Sequence, residues 1–275
     1  MTAAFEHTAA VSSDHAFALL PPLTDLVLRA GAAIMAIPRD TKVSHKQDGS
    51  PVTPADLAAD RVIAEGLAAI APRVPVLSEE CCGNGRPTTG SFFVVDPLDG
   101  TKEYIAGRDE FTVNLALVSD GLPVLGIVGA PALGLAWRGV VGHGAERLTI
   151  AADGAGFTAS PIRTRQLPKP GLPWVATVSR SHLDAATVAF IGARPGAMHV
   201  TLGSSLKFCR IAEGEADIYP RLAPICEWDI AAGAAVVLAA GGKMTDASGA
   251  PLRFDAPRPN FIVPEFIAWG DRDGR

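Results

Sequence analysis

Between residues 23 and 37 the apolar side chains Leu23, Leu26, Val27, Ala30, Ile34 and Ile37 recur at three- and four-residue spacing, which predicts an amphipathic helix. Pro21-Pro22 open it in this reading and Pro38 closes it, because proline fits a helix start far better than an interior. Residues 1–18 carry little pattern and read as a leader or as part of that first helix. Residues 39–53 are polar and marked by Gly and Pro. They predict a loop holding Lys42, His45, Lys46 and Asp48, either a solvated surface or a flap over a neighbouring site. Thr53-Pro54-Ala55-Asp56 then has the form of a helix start, with a threonine cap, a proline in the first turn and an acid three residues on. The helix runs to about Ile70. Asp56 reads as a capping residue or as a carboxylate aimed past the helix end.

Further along, the period changes from helical to strand-like. Residues 74–77 predict a short strand ending in Ser78-Glu79-Glu80, of which one glutamate faces inward and the other away. Residues 83–91 form a turn, followed by the stretch FFVVDPLDGT at 92–101. Four apolar, strand-forming residues run there directly into Asp96 and Asp99. Residues 102–110 read as a polar connection. Apolar strands at 111–119 and 123–130 meet at Asp120-Gly121, a hairpin signal, and a third strand follows at 133–141. Residues 142–171 mix Gly, Pro and charge around one strand at 147–150. A boundary at 155/156 separates a first domain, 1–155, from a second, 156–275. The second half predicts a strand at 174–178, helices at 183–191, 205–213 and 230–240, a strand at 217–219, and short strands at 243–244, 251–254 and 261–263.

Composition narrows the class. With 275 residues, 48% hydrophobic and 19% charged, the chain is long enough for substantial cores and is globular. A formal net charge of -5 argues against a basic groove for a nucleic-acid polymer. Cys81, Cys82, Cys209 and Cys226 have the spacing of neither a zinc site nor a redox pair, which fits a reducing, cytoplasmic setting. The sequence shows no signal peptide and no uninterrupted apolar run of ~18 residues, so no membrane-spanning segment is expected.

Five acids stand at element ends: Asp56, Glu79, Asp96, Asp99 and Asp229. Each has a local explanation in helix dipoles or turn chemistry. Together, following buried strands so abruptly, they make an oxygen-only ligand set suited to a hard cation such as magnesium. Two such ions ~4 Å apart activate a water and steady a leaving oxygen. The backbone around Gly100 and Thr101 forms a nest for an anion. Thr101 and Asp56 pair as a relay for a water proton.

The motifs Val95-Asp96-Pro97-Leu98-Asp99-Gly100-Thr101, Ser78-Glu79-Glu80 and Trp228-Asp229 resemble the lithium-sensitive, magnesium-dependent sugar and inositol phosphatase superfamily. Residues 50–56, Lys102-Glu103-Tyr104-Ile105, Glu110-Phe111-Thr112-Val113-Asn114, Ser179-Arg180-Ser181-His182 and Gly203-Ser204-Ser205-Leu206-Lys207-Phe208 are similar to its bacterial CysQ-type 3'(2'),5'-bisphosphate nucleotidase branch. The resemblance spans roughly residues 23–265. Gly107-Arg108-Asp109 and Pro224-Ile225-Cys226 depart from the branch pattern without touching an expected metal carboxylate.

The resemblance implies an α+β, α/β fold layered α-β-α-β-α, with two or three Mg2+ ions held by Glu79, Asp96, the Leu98 carbonyl, Asp99 and Asp229. Glu79, Asp56 and Thr101 are the implied catalytic residues. The implied reaction is removal of the 3'-phosphate of adenosine 3',5'-bisphosphate, a by-product of sulfate activation, to give AMP; inositol monophosphatase or fructose-1,6-bisphosphatase activity is the alternative. Gly100, Thr101, Ser179, His182, Ser205, Lys207, Arg221 and Asp229 are expected on the substrate side. His182 also reads as a surface or helix-start histidine, and Lys207 as a stem covering a helix. The implied partner is a small nucleotide; a monomer and a homodimer both fit, as does peripheral contact with a membrane.

Overall fold

The computed structural model describes residues 10–46, 49–84, 90–168, 170–194, 196–256 and 258–273. Helix α1 spans Ser13–Met35, capped by Ser12, and keeps Pro21 and Pro22 in its interior. The helix is therefore ten residues longer at its start than the prolines imply. The carbonyls that lose their partners belong to Phe17 and Ala18, exposed residues whose carbonyls solvent can satisfy. The buried stripe Ala16, Leu20, Leu23, Leu26, Val27, Ala30 and Ile34 continues through the prolines unbroken. By length and composition α1 could also cross a bilayer, but here that stripe belongs to a core shared with α2.

Strands β1 (Ser44–His45) and β2 (Pro51–Val52) form a small antiparallel pair inside the expected loop; Asp48 lies outside the described residues. Helix α2, Pro54–Ile70, begins with the full capping box of Thr53 and Asp56. Strand β3 (Val76–Ser78) is followed by a 3-10 turn, Glu79–Asn84. Of the expected turn at 83–91, residues 85–89 lie outside the described residues. Then come β4 (Ser91–Asp99), helix α3 (Thr101–Ile105), β5 (Thr112–Ser119), β6 (Leu122–Ala130), β7 (Leu135–Val140), β8 (Gly144–Ile150) and β9 (Phe157–Ile162). The expected polar connection after residue 101 thus starts as a helix. The region 142–171 contains two strands rather than one, and β9, just past the 155/156 boundary, still pairs with β8.

These strands make one seven-stranded sheet in the order β3-β4-β5-β6-β7-β8-β9, antiparallel except for β3 beside β4. The second half supplies β10 (Val175–Ser179), α4 (Ala185–Gly192), β11 (Met198–Leu202), α5 (Leu206–Ala212), β12 (Ile218–Arg221), β13 (Ile225–Cys226), α6 (Ala231–Ala239), β14 (Lys243–Thr245), β15 (Ile262–Val263) and β16 (Phe266–Trp269). Five of its strands form a sheet in the order β11-β10-β12-β16-β14. Two of these, β11 and β16, were not expected. Residues 251–254 form only a single bridge, Pro251 to Thr245, in place of a strand.

Three apolar cores stack the layers. α1 and α2 cover one face of the first sheet, α5 and α6 lie between the sheets, and α4 covers the outer face of the second. The order is α-β-α-β-α, as the resemblance implies. Gly126 permits the close approach of α6: a Cβ there would sit 2.2 Å from the Ala232 carbonyl oxygen.

Candidate metal centre

The site grows out of an irregularity in β4. Asp96 faces Asn114 of β5 and Asp99 faces Thr112, so three steps on β4 match two on its partner. In a regular strand, residues three apart point to opposite faces. The extra residue at Pro97-Leu98 is a β-bulge, and it turns both carboxylates to the same side. Proline is suited to this point because a bulge spares it a ladder hydrogen bond. Gly100 follows at φ +93, a left-handed turn that starts α3, and Thr101 is the first residue of that helix.

Asp229 reaches the same place from the 3-10 turn Glu227–Asp229 ahead of α6. One carboxylate oxygen each from Asp96, Asp99 and Asp229 lie within 4.8 Å of one another. Burial holds the Asp96 carboxyl well above the ordinary aspartate range, and the charges of Glu79, Asp99 and Asp229 add to the effect. Asp229 is raised likewise, by burial and then by Asp99 and Glu79. Such a cluster calls for a cation, and its all-oxygen donor set fits a hard divalent ion.

Each acid is oriented. Asp96 Oδ1 accepts from the Leu98 N–H at 3.0 Å. Asp99 Oδ2 accepts from Ser204 Oγ at 2.6 Å and from Asn114 Nδ2 at 3.3 Å. Asn114 also donates to Ser205 Oγ at 2.9 Å, and Ser205 donates to the Asp229 carbonyl at 2.9 Å. Ser205 is thus committed to this network and does not line the cleft, contrary to its expected place on the substrate side.

Asp56 does both things that its position allows. Its Oδ2 accepts from the Thr53 N–H at 2.8 Å and closes the capping box, while Oδ1 accepts from Thr101 Oγ at 2.9 Å. The glutamate pair differs from the expected arrangement: Glu79 and Glu80 do not diverge, because the chain leaves β3 as a 3-10 turn. Both accept from Lys46 Nζ at 2.7 Å. Only Glu79 lines the cleft.

The cleft, of about 190 Å3, lies between the two halves. Along with Glu79, Asp96, Leu98, Asp99, Gly100, Thr101 and Asp229, it takes in Ser179, His182, Lys207 and Arg221 from the second half, and Lys102. Burial lowers the His182 pKa, with Arg221 and Lys102 adding to the effect. Lys207, fully buried, is brought down to about 8 mainly by that burial. It donates to the carbonyls of Leu202, at 3.4 Å, and Ser204, and so pins the turn in which Ser204 has φ +51. Arg221 donates to the Pro224 carbonyl at 2.9 Å. A larger cleft, about 640 Å3, opens beside α1 around Phe17, Arg138, His143 and Glu146. It has no acid cluster among the described residues, and chemistry decides between the two.

Sequence reasoning did not assign Lys46, Lys102, Glu103, Asn114 or Ser204 to this centre. A signal existed for Asn114, a polar side chain inside the apolar run of β5. Lys102, Glu103 and Ser204 stand in motifs that carry the resemblance, and Lys46 in the loop read as a surface or a flap, but nothing local attaches a role to them.

Comparison with known proteins agrees with this architecture. Residues 19–270 match the model of the inositol monophosphatase family. The 3'(2'),5'-bisphosphate nucleotidase CysQ of Escherichia coli is 40% identical over 254 residues, 90% of this chain and 98% of that protein. The crystal structure of CysQ from Bacteroides thetaiotaomicron superposes with a TM-score of 0.74 at 32% identity, over 95% of this chain and 98% of that one. An inositol monophosphatase from Zymomonas mobilis gives 0.72 at 28%, over 95% and 94%. Because the match runs unbroken from α1 to the last strand and takes in acids from both halves, the chain belongs to the inositol monophosphatase family.

Proposed function

We propose that this enzyme is a magnesium-dependent phosphomonoesterase that removes the 3'-phosphate of adenosine 3',5'-bisphosphate, giving AMP and phosphate. The cation-seeking cluster of buried Asp96 with half-buried Asp99 and Asp229 carries the reaction class, and the likeness to CysQ nucleotidases supports the substrate. Glu79, Asp96, the Leu98 carbonyl, Asp99 and Asp229 hold two or three Mg2+ ions in this reading. Magnesium held there would lower the pKa of a bound water and neutralise charge on the leaving oxygen.

The chain's own groups do the rest. With its proton on Asp56, the Thr101 hydroxyl keeps its lone pairs free to take a hydrogen bond from the water, and Asp56 Oδ1 receives the proton that is relayed. The N–H groups of Gly100 and Thr101 receive the scissile phosphate. Ser179, His182, Lys207 and Arg221 form the side of the cleft that meets the second phosphate, with Arg221 able to grip two oxygens once it leaves its own carbonyls.

Phosphate release measured with Mg2+ tests the proposal. Adenosine 3',5'-bisphosphate is expected to exceed inositol 1-phosphate by orders of magnitude in kcat/KM, with inhibition by lithium. Equal rates would keep the phosphatase and discard the nucleotide.

A further inference from the structure

The cleft has acids at one end and cations along the facing wall, with one carboxylate out of place between them. Glu103 stands on α3 two residues after Thr101, is only 7% exposed, and lines the cleft. Among the described residues its carboxylate accepts one hydrogen bond, from Ser181 Oγ at 3.4 Å, at the weak end of the range. Nearby Glu110 is different: it accepts from Arg180 at 2.5 Å and from the Gly203 N–H at 2.7 Å. A carboxylate offers about four acceptor positions, so Glu103 retains most of its capacity in a site from which water is partly excluded.

In a cleft built for phosphate alone, this group would weaken binding, since like charges repel. It makes sense opposite a neutral donor. If the substrate is a nucleoside bisphosphate, as proposed above and on which this inference rests, the donor nearest the reacting phosphate is the sugar hydroxyl on the adjacent carbon. We infer that Glu103 accepts a hydrogen bond from that hydroxyl and makes the cleft selective for a ribose over a deoxyribose. A substrate lacking the hydroxyl leaves this buried carboxylate with only the weak Ser181 donor, a situation in which hydrogen-bonding sites discriminate. The Ser181 contact holds the carboxylate in place from the second half.

The test compares adenosine 3',5'-bisphosphate with its 2'-deoxy analogue, using the Mg2+-loaded enzyme and Glu103→Gln and Glu103→Ala variants. The wild type is expected to favour the ribonucleotide in kcat/KM by roughly 10- to 100-fold, the size of one hydrogen bond to a charged group. Glu103→Ala should bring the ratio close to one by slowing the ribonucleotide selectively. Glu103→Gln should keep part of the preference through its amide oxygen. A wild-type ratio near one, or an undiminished ratio in either variant, overturns the assignment while leaving the nucleotidase reading intact. Hydrolysis of inositol 1-phosphate with no turnover of either nucleotide overturns both.

Discussion

Two corners of the molecule bury carboxylates on opposite terms. Asp217, with its side chain fully buried, accepts from Arg165 Nε at 2.7 Å and Nη2 at 2.8 Å and from the Val175 N–H at 2.6 Å. Its counter-charge is part of the chain. At the end of β4, Asp96 and Asp229 face Asp99 and Glu79, and the near lysine, Lys46, bonds to the two glutamates at the rim. Arg221 and Lys207 act on Asp229 and Asp99, yet Asp96 and Asp229 still stand well above the ordinary range, so the described cations do not balance these acids. A paired acid is a structural fixture; a group of acids short of counter-charge gives an arriving cation its affinity.

The largest expected effect breaks the second corner. Asp96→Asn should lower kcat by at least about 10³-fold, because the ligand charge that supports the cation disappears. The same change should raise the melting temperature of the protein in EDTA, since it removes the cost of burying an acid among other acids. A variant near wild-type rate would dissolve the distinction between the corners. Thr101→Ala should lower kcat by about 10²- to 10³-fold with KM little changed, as loss of one proton-relay group does. Steady-state kinetics would show otherwise if KM carried the effect.

Asp217→Asn attacks the first corner. It should reduce stability by about 2 kcal/mol, less than a fully buried pair, because Arg165 is 38% exposed and can rehydrate. Denaturant titration measures this loss, and kcat per folded molecule should not move. The smallest effect is a pH dependence. Above the ordinary aspartate pKa of about 3.9, the folded form holds a proton on Asp96 that the unfolded chain has lost, so its contribution to stability falls as pH rises. In EDTA, the melting-temperature advantage of Asp96→Asn over wild type should therefore widen as pH rises above about 4, and Mg2+ should abolish it. A gap independent of pH would mean that Asp96 carries no displaced titration.

Where these acids sit could largely be read from the sequence, because local signals around them are strong. Thr53-Pro54-Ala55-Asp56 writes the start of α2 into four residues, and Phe92–Val95 running into Asp96 announces a buried strand that ends in charge. What stayed hidden depends on distance along the chain. Lys46 meets Glu79 across 33 residues and Ser204 meets Asp99 across 105. No window on the sequence contains both partners. Strand β16 was missed for the same reason: Phe266–Trp269 has only four apolar residues, and its place between β12 and β14 comes from partners 20 to 50 positions earlier. The prolines of α1 misled in the other direction, because a local rule yielded to a buried face continuing past them.

The position of β16 bears on how the enzyme is made. The sheet of the second half cannot close until β16 has been made, because its fourth strand in spatial order is its last in sequence. Asp229 lies only 37 residues before β16, while Asp56, Glu79, Asp96 and Asp99 emerge much earlier. During translation the first sheet can therefore assemble before Asp229 and the Ser204 hydroxyl join its acids. The candidate metal centre is complete only once both halves have been made.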